Sequence, residues 1–331
     1  MHDLIRDMAL QIAGAKFLVL EDVPHEEEWG NDVEKVSLMC KGGSKFPDVS
    51  PKCPKLSTLL LRGYVNIIPD SFFVHLHGLT VLHVDCHGFE SLPNSVSDLK
   101  HLTSLRLNSF DIKCVPSLAK LTALRSLDLS IDSLEEIPHG LEMLVNLRYL
   151  NLNVDSHTRT NQEKMPPGIL PKLCELQVLK LPLFCLEVNG EEMVRLKKLE
   201  VFLGVFDGVE GFNTYVKSLE EGGPSRFSLE SLEILDLYEL NNLKGLFTEE
   251  KVAPAPVGPL GTFSRLKLFS IEDCQNIKKL FPPWLVLDNL EQIFVSFCNQ
   301  LEEIIGGAEA SDEVEEEEEA KEMLCENVNR S

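Results

Sequence analysis

Basic residues are scarce in this chain of 331 residues. Lysine and arginine number 31 against 53 aspartate and glutamate, which gives a formal net charge of −22. Nucleic-acid binding needs clustered lysine and arginine for the phosphates, and docking on an anionic membrane needs a basic patch. Both are therefore excluded as expected functions.

Long apolar runs are also missing. No segment approaches the roughly 18 apolar residues of a membrane-spanning helix, and the chain opens on charged residues where a signal peptide would have an apolar segment. The only glycosylation sequon is Asn329-Arg-Ser331. We therefore expect a soluble, intracellular chain without a transmembrane segment.

Catalytic and metal-binding motifs are absent as well. The sequence contains no Gly-x-Ser-x-Gly, no His-Glu-x-x-His and no Cys-x-x-Cys, and its nine cysteines are scattered. Cys274 and Cys298 are one repeat apart, so we expect them to stack as small buried side chains rather than to bind a metal. The expected protein is not an enzyme and has no metal site.

What is present is a repeated Leu-x-x-Leu-x-Leu motif. Its first leucines are spaced by 22 or 23 residues in the regular part, at Leu56, Leu79, Leu102, Leu124 and Leu147. Less regular units begin at Leu176, Leu199, Leu232, Leu266 and Leu290. A period in the low twenties with this motif is typical of a leucine-rich repeat, in which each unit stacks a short strand on its neighbour. The predicted fold is an α/β leucine-rich repeat solenoid with a curved parallel sheet.

A second mark supports this register. An apolar residue followed by proline comes 12 or 13 residues after the first leucine in the units of Ile68-Pro69, Leu92-Pro93, Val115-Pro116 and Ile137-Pro138. Proline cannot donate to a sheet, so these pairs belong on the irregular convex side.

Four segments are predicted from composition. Residues 1–20 follow the spacing of an amphipathic helix, and residues 21–35 form an acidic connector. Residues 36–307 form the repeat domain, with a capping strand near 32–39 and loops at 204–228 and 249–262. Residues 308–331 form an acidic, disordered tail.

Taken with the repeats, the N-terminal segment resembles the plant intracellular nucleotide-binding leucine-rich-repeat disease-resistance proteins of the coiled-coil subclass. Met1-His2-Asp3 matches the methionine-histidine-aspartate motif that ends the family's nucleotide-binding module, and Leu-Ile-Arg-Asp-Met-Ala follows it as in the family. The repeat ends beginning at Cys274 and Cys298 are also similar. The resemblance extends to about residue 307.

The resemblance implies a nucleotide site in full-length relatives, which hold ADP or ATP near the histidine of this motif. No phosphate-binding Gly-x-x-x-x-Gly-Lys loop occurs in this sequence. His2 and Asp3 are therefore expected to be vestigial, and we expect this chain to hold no cofactor. It is interpreted as a truncated gene model or a natural fragment. We expect this chain in the cytoplasm, and the resemblance allows peripheral association with the plasma membrane in full-length relatives.

The candidate functional residues face solvent between the leucines of the strands, on the concave side. This face is predicted to be basic in its first half and acidic in its second, with exposed aromatics. The protein-binding residues named for it are Arg106, Arg125, Asp128, Arg148, Tyr149, Asn151, Lys180, Asp236, Tyr238 and Phe294. Arg106, Arg125, Arg148 and Lys180 are predicted to form a basic stripe that an acidic partner compensates, either within the chain or on another protein.

The expected function is non-enzymatic recognition of proteins in plant defence, giving effector recognition and autoinhibition. Its partners would be the nucleotide-binding module of a resistance protein and a pathogen effector or guarded host protein, with the chain itself a monomer. One alternative is an adaptor presenting substrates to a ubiquitin ligase, which would need an F-box-like helical cap. Another is a cell-surface receptor ectodomain, which would need a signal peptide, several sequons and paired cysteines. A solvated surface of random charges remains the simplest interpretation of the face.

Overall fold

The computed structural model describes residues 17–24, 29–44, 46–132, 134, 136–152, 163–182, 186–220, 232–240, 243, 245, 265–281, 285 and 287–305. The chain divides into two compact units. The first comprises Met1–Thr160 and Gly168–Pro182, and the second comprises Asn161–Pro167 and Leu183–Ser331. His2, Asp3, residues 1–16, the predicted loop at 249–262 and the predicted tail at 308–331 lie outside the described residues.

The first unit is built on a parallel sheet whose strands pair in chain order. With strands numbered along the whole chain, it contains β1 (Phe17–Leu20), β2 (Lys35–Ser44), β3 (Thr58–Val65), β4 (Val81–His87), β5 (Ser104–Ser109), β6 (Ser126–Ile131), β7 (Tyr149–Asn151) and β9 (Val178–Lys180). Short 3-10 turns at Asn94–Asp98, Leu141–Met143 and Leu170–Lys172 occupy parts of the connections. The predicted parallel strands at the leucine motifs are confirmed.

Leucines of successive strands form the core. Leu105 lies opposite Leu127, and Leu127 lies opposite Leu150, so the three stack in adjacent layers. All three are fully buried. Burying one leucine side chain stabilises the fold by about 1.5–3 kcal/mol, and a single unit could not bury its own.

The second unit contains two parallel sheets. Its main sheet includes β8 (Glu163–Lys164), β10 (Leu186–Val188), β11 (Val201–Phe206), β12 (Ile234–Tyr238), β13 (Leu268–Glu272) and β15 (Gln292–Ser296). The smaller sheet pairs β14 (Lys279–Phe281) with β16 (Glu303–Ile305). Two helices, α1 (Gly190–Met193) and α2 (Val209–Glu220), complete the described part of this unit.

Helix α2 shows that the predicted loop at 204–228 is wrong over much of its length. Phe212 and Tyr215 are three residues apart, so they share one helix face, and both are buried. Their rings each lie 5.4 Å from the ring of Phe206. The frequent glycines indicate a loop, but the contacts of Phe212 and Tyr215 with Phe206 on β11 stabilise a helix.

The predicted N-terminal helix is also wrong at its end, where Phe17–Leu20 forms β1 and pairs with β2. The strand predicted near 32–39 is present as β2, but it follows β1 and is not the first strand. Within the predicted acidic connector, Trp29 and Val33 are buried in the core. The number of acidic residues does not reveal this packing, because only two apolar side chains of the segment are buried in the core.

Candidate protein-binding face

The solvent-facing residues of the first unit lie in rows across its strands, because the strands are parallel and in register. The central row, as we call it, contains Leu60, His83, Arg106, Asp128, Asn151 and Lys180. A row nearer the start of the strands contains Thr58, Val81, Ser104, Ser126, Tyr149 and Val178. A row nearer their ends contains Arg62, Asp85, Asn108 and Ser130. We call these three rows together the first-unit face.

Asp128 is the centre of a polar network on this face. Its carboxylate accepts hydrogen bonds from Asn151 Nδ2 at 2.9 Å and from Ser130 Oγ at 3.0 Å. Arg106 Nε lies 3.4 Å from Asp128 Oδ2. The side chain of Asp128 is only 14% exposed, whereas that of Arg106 is 53% exposed. The network therefore places a largely covered carboxylate beside the accessible guanidinium of Arg106.

Two further contacts join neighbouring strands. Asn108 Nδ2 donates to Asp85 Oδ1 at 3.1 Å, and Lys180 Nζ lies 6.0 Å from the centre of the Tyr149 ring. Cation–π contacts of this length contribute about 0.5–1 kcal/mol at exposed sites. Side chains on neighbouring strands of this face therefore restrict one another's positions through these contacts.

The surroundings shift the pKa values of two ring side chains on the first-unit face, His83 and Tyr149. Burial lowers the pKa of His83, with further lowering by the charges of Arg106 and Arg62 and opposition from Asp128. Burial raises the pKa of Tyr149, and Asp128 adds to the increase. Both directions favour neutral rings near pH 7.

Arg125 and Arg148 lie apart from these rows. Each precedes its strand by one residue, where Arg125 N–H donates to Thr103 O and Arg148 N–H donates to Arg125 O, both at 2.8 Å. Both side chains are exposed. The predicted stripe of four cations is therefore wrong as a single row, because Arg106 and Lys180 share the central row with Asp128 and Asn151. Asp128 of the same chain forms an ion pair with one of the four cations, Arg106.

In the second unit, Asp236 lies opposite Ser270, which lies opposite Phe294. Phe294 is 53% exposed, as predicted for a surface aromatic, but Tyr238 is buried with 9% exposure. Tyr238 is therefore part of the packed interior and presents little surface to a partner.

The second-unit face is more apolar than acidic. Its strands place Val201, Ile234 and Leu268 side by side at half-buried positions. The acids Glu239 and Asp273 instead occupy left-handed backbone positions directly after β12 and β13, with φ of 55° and 53°. Asp236 and Glu272 do lie on the strand face, at half-buried positions of β12 and β13. The strand face therefore contains some of the predicted acids, and Glu239 and Asp273 follow it.

Several residues of the first-unit face were missed by the sequence reasoning. Asp85, Asn108 and Ser130 lie two residues beyond the central row, on the same side of their strands. The period-2 alternation of strands, continued past the last leucine, would have identified them.

A family model described as a leucine-rich repeat region matches residues 55–306. The chain belongs to the leucine-rich repeat family. The match spans the strands from β3 to β16, so both described units consist largely of leucine-rich repeats.

Relatives of these repeats are plant disease-resistance proteins. Disease resistance protein UNI of Arabidopsis thaliana is 28% identical, with 94% of this chain and 35% of that protein covered. Disease resistance protein At4g27190 of the same plant is 31% identical, with 55% of this chain and 19% of that protein covered. A solved leucine-rich repeat protein of Leptospira interrogans, LIC12759, has a TM-score of 0.47 at 17% identity, covering 93% of this chain and 92% of that one. The chain spans about a third of the length of the first curated relatives it matches.

Metal sites and membrane-spanning helices are the other features that would point to a different function. Within the part of the chain that the structure describes, no group of three or more His, Cys, Asp or Glu side chains is arranged to hold a metal ion. None of the described helices has the length and apolar character needed to cross a membrane. We take the first-unit face as the candidate site, because its outward side chains contact one another across neighbouring strands.

Proposed function

We propose that this chain is the protein-recognition module of a plant disease-resistance receptor, without enzymatic activity. Effector recognition and autoinhibition would both act through the first-unit face. The relatives support the class of receptor, and the repeats support a role in protein interaction. We choose the first-unit face as the binding surface because of the Asp128 network, in which the side chain of Arg106 is exposed to solvent.

Order in the network favours tight association. Binding a partner costs about 0.5–1.5 kcal/mol for each flexible side chain that becomes fixed. Arg106 is already held by Asp128, and Lys180 already lies over Tyr149. Arginine and tyrosine are also residues that commonly dominate the energy of interfaces.

The charges on the face indicate an acidic contact surface on the partner. Arg62 and Arg106 are exposed, whereas Asp128 is largely covered by its own contacts. We infer that in a full-length receptor this surface belongs to the nucleotide-binding module, which would keep the receptor inactive. A pathogen effector or a guarded host protein would compete for the same face.

A charge-reversal pair tests the proposal. The variant Arg106→Glu with Lys180→Glu changes the central row, and the control Arg125→Glu with Arg148→Glu makes the same charge change outside the rows. Association with the purified nucleotide-binding module of a full-length relative is measured by biolayer interferometry at low and high salt. We expect the central-row variant to bind at least about tenfold more weakly at low salt, since losing close charge pairs costs about 1.5 kcal/mol or more.

The control should remain within about twofold of the parent, because exposed charges away from the contact contribute little. The difference should shrink at high salt, where charges are screened beyond about 3 Å at 1 M. Equal weakening by both variants would show a general effect of charge, and unchanged binding by the central-row variant would remove the face from the interface. Thermal unfolding of both variants checks that they remain folded.

A further inference from the structure

Two cysteines of the second unit are brought together by the register of β13 and β15. The last paired residues of these strands are Glu272 and Ser296. Each strand is followed by a residue in the left-handed region, Asp273 with φ of 53° and Phe297 with φ of 52°. The two backbones therefore turn in the same way, and the next residues on the adjacent repeats are Cys274 and Cys298.

Hydrogen bonds hold this register on both sides of the pair. Before the cysteines, Asp273 N–H donates to Ser296 O at 3.0 Å. After them, Asn299 Nδ2 donates to Gln275 Oε1 at 2.9 Å. Both cysteines are free thiols, with Cys274 buried and Cys298 partly exposed.

The two thiols occupy equivalent positions in adjacent repeats and differ in exposure. Cys274 Sγ donates to Glu272 O at 3.5 Å, and Cys298 Sγ donates to Ser296 O at 3.4 Å. The neighbouring thiol and backbone N–H of Cys274 lower the pKa of Cys298 to about 7, against opposition from burial and from the charges of Asp273 and Glu272. The neighbouring Cys298 thiol, together with burial, raises the pKa of Cys274. Solvent reaches Cys298, whereas Cys274 is buried, so Cys298 is the sulfur that a dissolved oxidant meets first.

Three other buried cysteines have a raised pKa, in contrast to the lowered pKa of Cys298. Burial raises the pKa of Cys40 and Cys53 to about 11 and that of Cys86 to about 12. Cys40 and Cys86 also lie on strands separated by the strand that contains Gly63. A protonated thiol is a weak nucleophile, so these cysteines should react slowly with peroxide. Cys274 also has a raised pKa, so its part in the reaction depends on its position beside an oxidised Cys298.

We propose that Cys298 and Cys274 form a site of reversible oxidation by hydrogen peroxide, with Cys298 reacting first and Cys274 resolving it. The Cys298 thiolate attacks one peroxide oxygen, the O–O bond breaks, and hydroxide leaves and takes up a proton to become water. The resulting sulfenic acid is attacked by the Cys274 sulfur, which gives up its proton. An S–S bond forms and a second water leaves. In total, two thiols and one peroxide give one disulfide and two waters.

The disulfide would join two adjacent repeats covalently beside the exposed ring of Phe297, which is 70% exposed. Such a bond limits separation of the repeats in the unfolded chain and so stabilises the second unit. This site is independent of the first-unit face and goes beyond the proposed function.

Peptide mapping of the full chain tests the proposal. The reduced protein is treated with one equivalent of hydrogen peroxide, the remaining thiols are alkylated, and peptides covering all nine cysteines are analysed by mass spectrometry. We expect Cys274 and Cys298 to lose alkylation together and to appear in one linked peptide, about two mass units lighter than the sum of its parts. The initial rate should rise with pH through about 7, as the thiolate fraction of Cys298 increases.

Variants separate the two roles. Cys298→Ser should abolish the link, and Cys274→Ser should leave a sulfenic acid on Cys298 that dimedone traps. Matched controls are Cys114→Ser and Cys174→Ser, which remove exposed thiols and should leave the link intact. Oxidation of Cys114 or Cys174 ahead of Cys298, or a linked peptide that lacks either Cys274 or Cys298, would overturn the proposal. The map of the unsubstituted chain decides this even if Cys274→Ser fails to fold.

Discussion

At the residue scale, Asp236 shows how the surroundings of one side chain alter its chemistry. It lies on the strand face of the second unit between Leu203 and Ser270, with which it is in register. Burial raises its pKa, and a hydrogen bond with the Ser270 side chain opposes that increase only in part. The position of Asp236 therefore disfavours the charged form of its carboxyl group.

Replacing this carboxylate gives a prediction with a defined pH dependence. Because the folded pKa is raised above the unfolded one, the contribution of Asp236 to stability is present below the unfolded pKa and is lost as the pH rises through the folded pKa. We expect Asp236→Asn, which keeps a hydrogen-bonding side chain, to raise Tm at pH 7, and the gain to shrink as the pH falls toward 3.8. Thermal melts followed by circular dichroism from pH 4.5 to 8 measure this.

The control for this change is Asp288→Asn in the same unit, where the side chain is exposed. It should alter Tm little at any of these pH values. A lower Tm for Asp236→Asn at pH 7 would mean that the carboxylate makes stabilising contacts that outweigh its burial.

At the element scale, the helices of the second unit depend on a close approach of backbones. Asn189 caps α1, since its Oδ1 accepts from Glu191 N–H at 2.9 Å and from Glu192 N–H at 3.3 Å. The first residue of α1, Gly190, is buried against the backbone of Gly211 in α2. A Cβ at position 190 would collide with the carbonyl group of Gly211.

We therefore expect Gly190→Ala to destabilise the second unit by about 1–3 kcal/mol, because the two helix backbones must move apart. Urea unfolding followed by circular dichroism measures the change in free energy. The matched control is Gly30→Ala, where an added Cβ would meet only Val33 Cγ2 at an ordinary 3.6 Å. A loss no larger for Gly190→Ala than for Gly30→Ala would show that α1 and α2 can separate without cost.

At the scale of the whole molecule, the chain combines a strongly acidic composition with local surfaces of different character. The net charge is −22, yet the first-unit face exposes Arg62 and Arg106. Opposite charges of adjacent repeats also pair across the surface, as Lys113 does with Glu90 at 2.8 Å and Lys267 with Glu233 at 2.9 Å. Exposed pairs of this kind contribute about 1 kcal/mol at most, so the leucine core remains the main source of stability.

The expected lack of nucleotide binding is a prediction at this scale. The sequence contains no Gly-x-x-x-x-Gly-Lys loop to surround phosphates. We expect isothermal titration calorimetry with ADP or ATP and magnesium to show no saturable heat. The nucleotide-binding module of a full-length relative is the positive control. Micromolar binding of either nucleotide by this chain would overturn the expectation that it holds no cofactor.

The regular repeats were the most predictable part of the molecule. The period of the leucine motif predicts that equivalent leucines of successive repeats stack in adjacent layers, as Leu105, Leu127 and Leu150 do. Arg125 and Arg148 were placed on the binding face from the same spacing but precede the strands. A one-residue change of position moves a side chain off the strand face, so repeat length alone could not place them.

The sequence by itself determined the stacking of parallel strands, because leucines at a period near 23 can be buried only when neighbouring repeats cover them. The tertiary structure decided where the charges act and where the irregular segments fold. Asp128 meets Arg106 and Asn151 only because residues 22 or 23 positions apart are brought side by side. Helix α2 likewise forms where Phe206 offers a surface to Phe212 and Tyr215. Such contacts depend on distances in space, which the order of residues alone does not specify.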